Sequence, residues 1–194
     1  MLINLNVFEA RRLWLPNAKL TSVSSYAIYS SGKQPHVEAE ALVGEPEDGL
    51  FAYGHAKRSL LIAQEAYRRE HDLSSVSVVL PTVYGPRSGV AESAHLVGAL
   101  TGKFLRAARD NTEVVMLWGD GSQVRDFLHI DDAVGGIAQA ADRQVSPLVN
   151  LGSGEAVEIK SLARMIARET GFKGRLSFDE DRYAGEPVRR LDVA

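Results

Sequence analysis

The sequence predicts an α/β fold built on a largely parallel sheet. Three observations carry that prediction. Runs of β-branched and apolar residues alternate with helical stretches, the pattern of βαβ units. The clearest helix, Tyr53 to Glu70, separates two such runs, Leu20 to Ile28 and Val76 to Leu80. Hydrophobic residues make up 45% of the 194, enough to bury a sizeable core.

In chain order, Asn4 to Leu15 reads as a helix, with Leu5, Phe8 and Leu15 apolar and Arg11 and Arg12 near its negative end. Arg11-Arg12 and Arg68-Arg69-Glu70 read as solvated helix faces. Leu20 to Ile28 suits a buried strand, through Thr21, Val23 and Ile28, and Ser30 to Asp48 is a long polar loop. In the helix Tyr53 to Glu70, Ala56, Leu60, Ala63 and Tyr67 form one stripe. Val76 to Leu80 is a strand stopped by Pro81, and a loop through Gly85 and Gly89 leads to a helix from about Ala94 to Ala108. Val114 to Trp118 is a strand. Asp131 to Ala141 is a helix opening on acidic residues, which its positive end favours. Pro147 to Leu151 is a short strand, Val157 to Thr170 an amphipathic helix ended at Gly171, and Arg175 to Phe178 a last strand.

The net charge is −3, so no basic field draws nucleic acid or anionic lipid. With no cysteine, disulfides, thiolate metal sites and a cysteine nucleophile are excluded. No apolar run spans a membrane, and the start lacks the order of a signal peptide, so a cytoplasmic protein is expected. His36, His55, His71, His95 and His129 show no zinc spacing, and no metal is expected. No three glycines stand at dinucleotide-fingerprint spacing; Gly119/Gly121 and Gly152/Gly154 are isolated pairs that read as turns.

The chemistry-bearing constellation starts at Tyr53-Gly54-His55-Ala56-Lys57. Four-residue spacing puts Tyr53 and Lys57 on one helical face, one turn apart. A phenol ordinarily holds its proton too tightly for exchange at neutral pH, and a nearby ammonium favours the phenolate. Such a pair suits a carbonyl–alcohol interconversion. Taken alone it is more often a half-buried tyrosine beside a solvated lysine. Ser24 and Ser25 end the upstream strand, at the sheet margin where α/β proteins bind ligands, and a hydroxyl there can donate to a carbonyl oxygen held by the tyrosine. Ser25, His129 and Asp131 make a poor hydrolase triad, because Ser25 lacks the Gly-x-Ser-x-Gly elbow.

Read together, Ser24-Ser25-Tyr26-Ala27-Ile28-Tyr29, Tyr53-x-x-x-Lys57, Pro81-Thr82-Val83-Tyr84-Gly85-Pro86, Trp118-Gly119-Asp120-Gly121, Arg125 to Asp132 and Val149 to Gly154 follow one order and spacing. In these the chain resembles the extended short-chain dehydrogenase/reductases, the NAD-dependent epimerase/dehydratase family, from about Asn4 to Asp192. Lys33-Gln34-Pro35, Ser93-Ala94-His95-Leu96-Val97 and Gly174 to Asp179 are similar to the GDP-L-fucose synthases within it.

The resemblance implies the C-terminal part of a Rossmann-like doubly wound parallel sheet plus a small α/β substrate-binding subdomain. Residues 1–85 would be an incomplete catalytic part whose first cofactor-binding half, roughly 80 residues, is absent. Residues 86–194 would be mostly the subdomain, with segments near 114–150 returning to the sheet. By the same resemblance the protein is an NAD(P)-dependent epimerase/reductase acting on the keto carbon of a nucleoside-diphosphate sugar, a GDP-sugar favoured. NADP is favoured over NAD, and a homodimer is expected. Ser25 would hydrogen-bond the keto oxygen, Tyr53 would donate the proton, and Lys57 would tune Tyr53 and hold the nicotinamide ribose. His95 would be the epimerisation acid, Pro81, Thr82 and Val83 would border the cofactor, and Trp118, Arg125 and Arg189 would contact the sugar nucleotide. Ala27 stands where the family's epimerising cysteine falls and cannot act as a base. The asparagine usual before the Tyr-Gly-Pro turn is replaced by Thr82 or lost to a one-residue deletion, and Arg189 replaces a lysine, keeping charge and gaining fork geometry. The missing glycine turn supports an alternative, a fragment or half of a split enzyme without its own dinucleotide site.

Overall fold

The computed structural model describes residues 2–86, 95–143, 146–182 and 185–194. Its elements are α1 (Leu2–Trp14), β1 (Thr21–Ser25), α2 (Phe51–His71), β2 (Val76–Leu80), β3 (Thr82–Tyr84), α3 (Leu96–Arg109), β4 (Val114–Trp118), β5 (Val124–His129), α4 (Ile130–Arg143), β6 (Leu148–Asn150), β7 (Ala156–Glu158), α5 (Ile159–Glu169), β8 (Arg175–Asp179) and β9 (Val188–Arg189). Short 3-10 turns cover Tyr26–Ile28, Glu38–Glu40 and Asp48–Leu50. The chain forms two compact units: residues 1–81, 131–152 and 191–194, and residues 82–130 and 153–190. No helix among the described residues is long and apolar enough to cross a membrane.

In the first unit β1, β2 and β6 form a sheet in the order β1-β2-β6, every pair parallel. Parallel neighbours need a crossover, and α2 supplies the one between β1 and β2. The middle strand shows what that position demands: Val76, Ser77, Val78 and Val79 are all buried, a run without alternation. α2 runs longer than the expected Tyr53 to Glu70, and stops where Asp72 takes the left-handed conformation at φ 54°. Its expected stripe is present, with Leu60 and Ala63 buried.

α1 packs on α2 through Phe8, whose ring stacks on Tyr67 at 5.2 Å. Arg11 departs from its expected solvated place: it is buried and donates to the Ala18 and Ser74 carbonyls at 2.7 and 2.9 Å, because the turn after α1 and the segment before β2 both bring a carbonyl to it. Glu9 accepts from Arg12 at 2.5 Å and from the Tyr67 hydroxyl at 2.8 Å. Those two bonds, Arg12 first, hold its carboxyl at about 2. A carboxylate lowered on folding favours the folded state above its unfolded value and loses that contribution as pH falls towards 2. Tyr67→Phe is expected to raise the Glu9 value while Arg12 keeps it below the ordinary range, as a carboxyl-carbon NMR titration would read.

In the second unit β4 and β8 pair in parallel, and α3 and α5 cover one face with Leu100, Phe104, Val115, Leu117, Ala163, Ile166 and Phe172. β4 alternates, Val115 and Leu117 inward and Met116 and Trp118 outward, the mark of a strand with one covered face. β5 pairs with β3 and β9 in parallel and with β7 antiparallel. Two expectations change. Val157 belongs to β7 rather than to a helix, and α5 starts at Ile159, because Ala156–Glu158 hydrogen-bonds to β5. The strand expected over Leu20 to Ile28 ends at Ser25, because the chain turns into the 3-10 segment there. α3 starts at Leu96; Gly89, Ser93 and Ala94 lie outside the described residues.

Candidate functional site

Within the first unit, the C-terminal end of β1 meets the first turns of α2. Ser24 is buried and Ser25 is not, so Ser25 offers the available hydroxyl. Its oxygen caps the 3-10 turn, accepting from the Ala27 amide at 3.3 Å. Accepting leaves the hydroxyl proton to donate elsewhere. Tyr53, in the first turn of α2, is 50% exposed, so its phenol can reach a ligand. Lys57, one turn on, lies with Nζ 5.8 Å from the centre of the Tyr53 ring and donates to the Val23 carbonyl at 2.9 Å. An ammonium has three protons, so that bond leaves donors for a ribose or sugar hydroxyl.

Gly54 explains how α2 comes so near the 3-10 turn that follows β1. A Cβ there would collide with the Ala27 carbonyl and lie 2.6 Å from the Pro46 Cβ. Glycine normally weakens a helix; here it permits close approach. Lys57 thus touches the chain at residue 23 and Gly54 touches it at residue 27, on either side of Ser25.

The remaining candidates fall in two places. Pro81, buried, closes the first unit after β2. Thr82, Val83, His95, Trp118, Arg125 and Arg189 all belong to the second unit. Thr82 and Val83 pair with Phe127 and Leu128 in β5. His95 is exposed at the start of α3 and its side chain makes no capping bond. Trp118 is 64% exposed, with the Arg182 guanidinium over its ring at 5.0 Å. Arg182 is itself tied to Asp179 at 3.0 Å.

Arg125 and Arg189 are brought together. They are register partners on the parallel strands β5 and β9, so their side chains leave the sheet on the same face about 5 Å apart. Arg125 is buried and donates to the Val124 carbonyl at 2.8 Å. Arg189 lies 3.7 Å from Glu186, both side chains largely buried. Two neighbouring guanidiniums are a fork-shaped donor set suited to a diphosphate. Asp126, on the opposite face of β5, accepts from the Ser153 amide at 3.1 Å and the Ser153 hydroxyl at 2.6 Å, which fixes the Gly152-Ser153-Gly154 turn. The hydrolase alternative gains nothing: His129 packs edge-on against Tyr84 at 5.3 Å, and Ser25 caps a turn.

Reading the sequence alone misses Gly54, Glu186, Asp126 and Arg58. A glycine in the first turn of a strong helix was the one available signal among them.

A parallel sheet with a serine at its C-terminal margin and a Tyr–Lys pair on the next helix defines a Rossmann-like protein of the short-chain dehydrogenase/reductase class. The profile of the NAD dependent epimerase/dehydratase family matches residues 1–152, and the chain belongs to that family. It is 33% identical over 193 residues to a probable GDP-L-fucose synthase 1 of Oryza sativa subsp. japonica, covering 98% of this chain and 59% of that protein. It is 32% identical over 205 residues to the GDP-L-fucose synthase of Escherichia coli, covering 100% of this chain and 64% of that one. Among solved structures, the GDP-mannoheptose C4 reductase of Campylobacter jejuni, with NADP bound, superposes with a TM-score of 0.84 at 25% identity, over 98% of this chain and 64% of that one. The chain spans about 60% of the length of the curated relatives it matches.

Proposed function

We propose that the chain is the catalytic and sugar-nucleotide-binding part of an NADP-dependent epimerase/reductase acting on the keto carbon of a GDP-sugar. The observation that carries this reading is the fit of α2 around Ser25: Lys57 bonded to Val23 on one side, Gly54 against Ala27 on the other, and Tyr53 exposed between. The relatives are GDP-L-fucose synthases and a GDP-mannoheptose C4 reductase, which supports the substrate class, and the reductase's bound NADP supports the cofactor.

When bound, the cofactor supplies a hydride to the carbonyl carbon. Ser25 donates a hydrogen bond from its hydroxyl to the carbonyl oxygen and orients it, keeping its own proton. Tyr53 gives that oxygen its proton, so that the ketone becomes an alcohol and the tyrosine a phenolate. Lys57 faces the ring with positive charge, which stabilises that phenolate, and its remaining protons suit the ribose hydroxyls. Solvent returns the proton to the half-exposed Tyr53. Pro81, Thr82 and Val83 would border the nicotinamide. Arg125 and Arg189 would take the diphosphate, and Trp118 would pack on the nucleotide. His95 is the acid available for epimerisation, but Ala27 offers it no partner base, so reduction is the step these residues support best.

A homodimer fits the surface of α1 and α2, where Leu2, Ile3, Leu13, Trp14 and Ile62 are exposed. A cytoplasmic location fits a reaction that draws on NADPH. The test incubates the protein with NADPH and a GDP-4-keto-6-deoxy sugar and follows NADPH absorbance, beside a fluorescence titration with NADPH alone. Sugar-dependent NADPH consumption is expected. Absence of both binding and consumption would favour the fragment alternative.

A further inference from the structure

We propose that Arg58 is a positioning residue for the reaction site, its guanidinium clamping the segment from Ile28 to Gly44 onto the helix that carries Tyr53 and Lys57. This rests on the reading that Ser25, Tyr53 and Lys57 form that site.

Arg58 is 6% exposed. Its Nε donates to the Ile28 carbonyl at 2.6 Å, Nη1 to the Gly44 carbonyl at 2.5 Å and Nη2 to the Val43 carbonyl at 3.0 Å. A guanidinium held by main-chain oxygens fixes the path of a segment and leaves its side chains free to vary. Each carbonyl is reached by a different nitrogen of the planar fork, a donor set that the single nitrogen of an ammonium does not reproduce.

The location of those acceptors gives the clamp its purpose. Ile28 ends the 3-10 turn that Ser25 caps, and the Tyr29 amide closes that turn on the Tyr26 carbonyl at 3.0 Å. Val43 and Gly44 lead into Pro46, which packs on Gly54. α2 therefore carries two pairs at four-residue spacing, offset by one residue. Gly54 and Arg58 grip the segment, while Tyr53 and Lys57 present chemistry beside it. Loosening the first pair lets the Ser25 turn drift relative to the phenol, and a misplacement of about 1 Å is enough to cost about a hundredfold in rate.

The experiment compares the parent protein with Arg58→Lys and Arg58→Met, each carrying 3-fluorotyrosine. The Tyr53 resonance is assigned by its loss in Tyr53→Phe. The expected result is a kcat lower by about 10- to 100-fold with KM for NADPH nearly unchanged. The Tyr53 fluorine signal should shift or broaden, the Tyr67 and Tyr84 signals should stay in place, and amide exchange should quicken at 26–29 and 43–46. An unmoved Tyr53 signal, or a kcat that falls only with the folded fraction, would overturn the proposal. If the Arg58 variants do not fold, Gly54→Ala pushes the same segment away and is read by the same signals. If the parent protein itself shows no turnover, the reading of the site fails, and the fluorine signal alone decides whether Arg58 positions Tyr53.

Discussion

Tyr53→Phe is expected to lower turnover of a GDP-4-keto sugar by roughly 10²–10⁴-fold, the range attached to a positioned general acid. The change removes one oxygen from a side chain that is 50% exposed, so no core packing is lost. The substitution leaves the backbone of α2 unchanged, and the fold should keep its thermal midpoint. KM for the sugar nucleotide should move little, because the diphosphate contacts assigned to Arg125 and Arg189 are untouched. Steady-state kinetics on matched preparations check this. Turnover within a few-fold of the parent would remove Tyr53 from the chemistry, and with it the reason for placing Lys57 beside it.

Arg189→Met is expected to weaken GDP binding by about 10- to 100-fold, the equivalent of one charge-assisted hydrogen bond. Isothermal calorimetry with GDP and GMP separates the causes. A contact to the second phosphate should make the loss larger for GDP than for GMP. Glu186 complicates the single variant, since its carboxylate lies 3.7 Å from Arg189 with its side chain only 12% exposed. Losing the arginine leaves that buried negative charge beside the site, where it repels phosphate. The double variant Arg189→Met with Glu186→Gln removes both charges. If the double variant binds GDP as the parent does, the loss came from Glu186 and Arg189 does not hold phosphate.

The parts of the fold legible beforehand are those in which neighbours along the chain share one fate. α2 shows through a long apolar stripe, and β2 through a β-branched run that the sheet buries on both faces. β5 was not legible. Val124–His129 includes arginine and aspartate, and it is a strand only because β3, β7 and β9 flank it, burying Arg125 and Asp126. β7 is three residues long, too short for its own periodicity to show against the helix that follows. The stretch Ser30 to Asp48 reads as a polar loop, and its polarity is put to internal use. His36 stacks on Tyr29 at 4.6 Å, the Tyr29 hydroxyl donates to the Asn150 side-chain oxygen at 2.6 Å, and Glu38 accepts from the Asn150 backbone N–H at 2.8 Å.

By itself the sequence determined the α/β class, the pairing of Tyr53 with Lys57 on one helical face, and the serine at the end of the preceding strand. Each follows from a fixed period along a helix or strand, which depends only on residues a few places apart. Only the tertiary structure decided that Ser24 is buried beside an open Ser25, that Arg58 grips three distant carbonyls, and that Arg125 stands beside Arg189. Those are partnerships between segments far apart in the chain. Strand register and burial select them, and no local spacing encodes either.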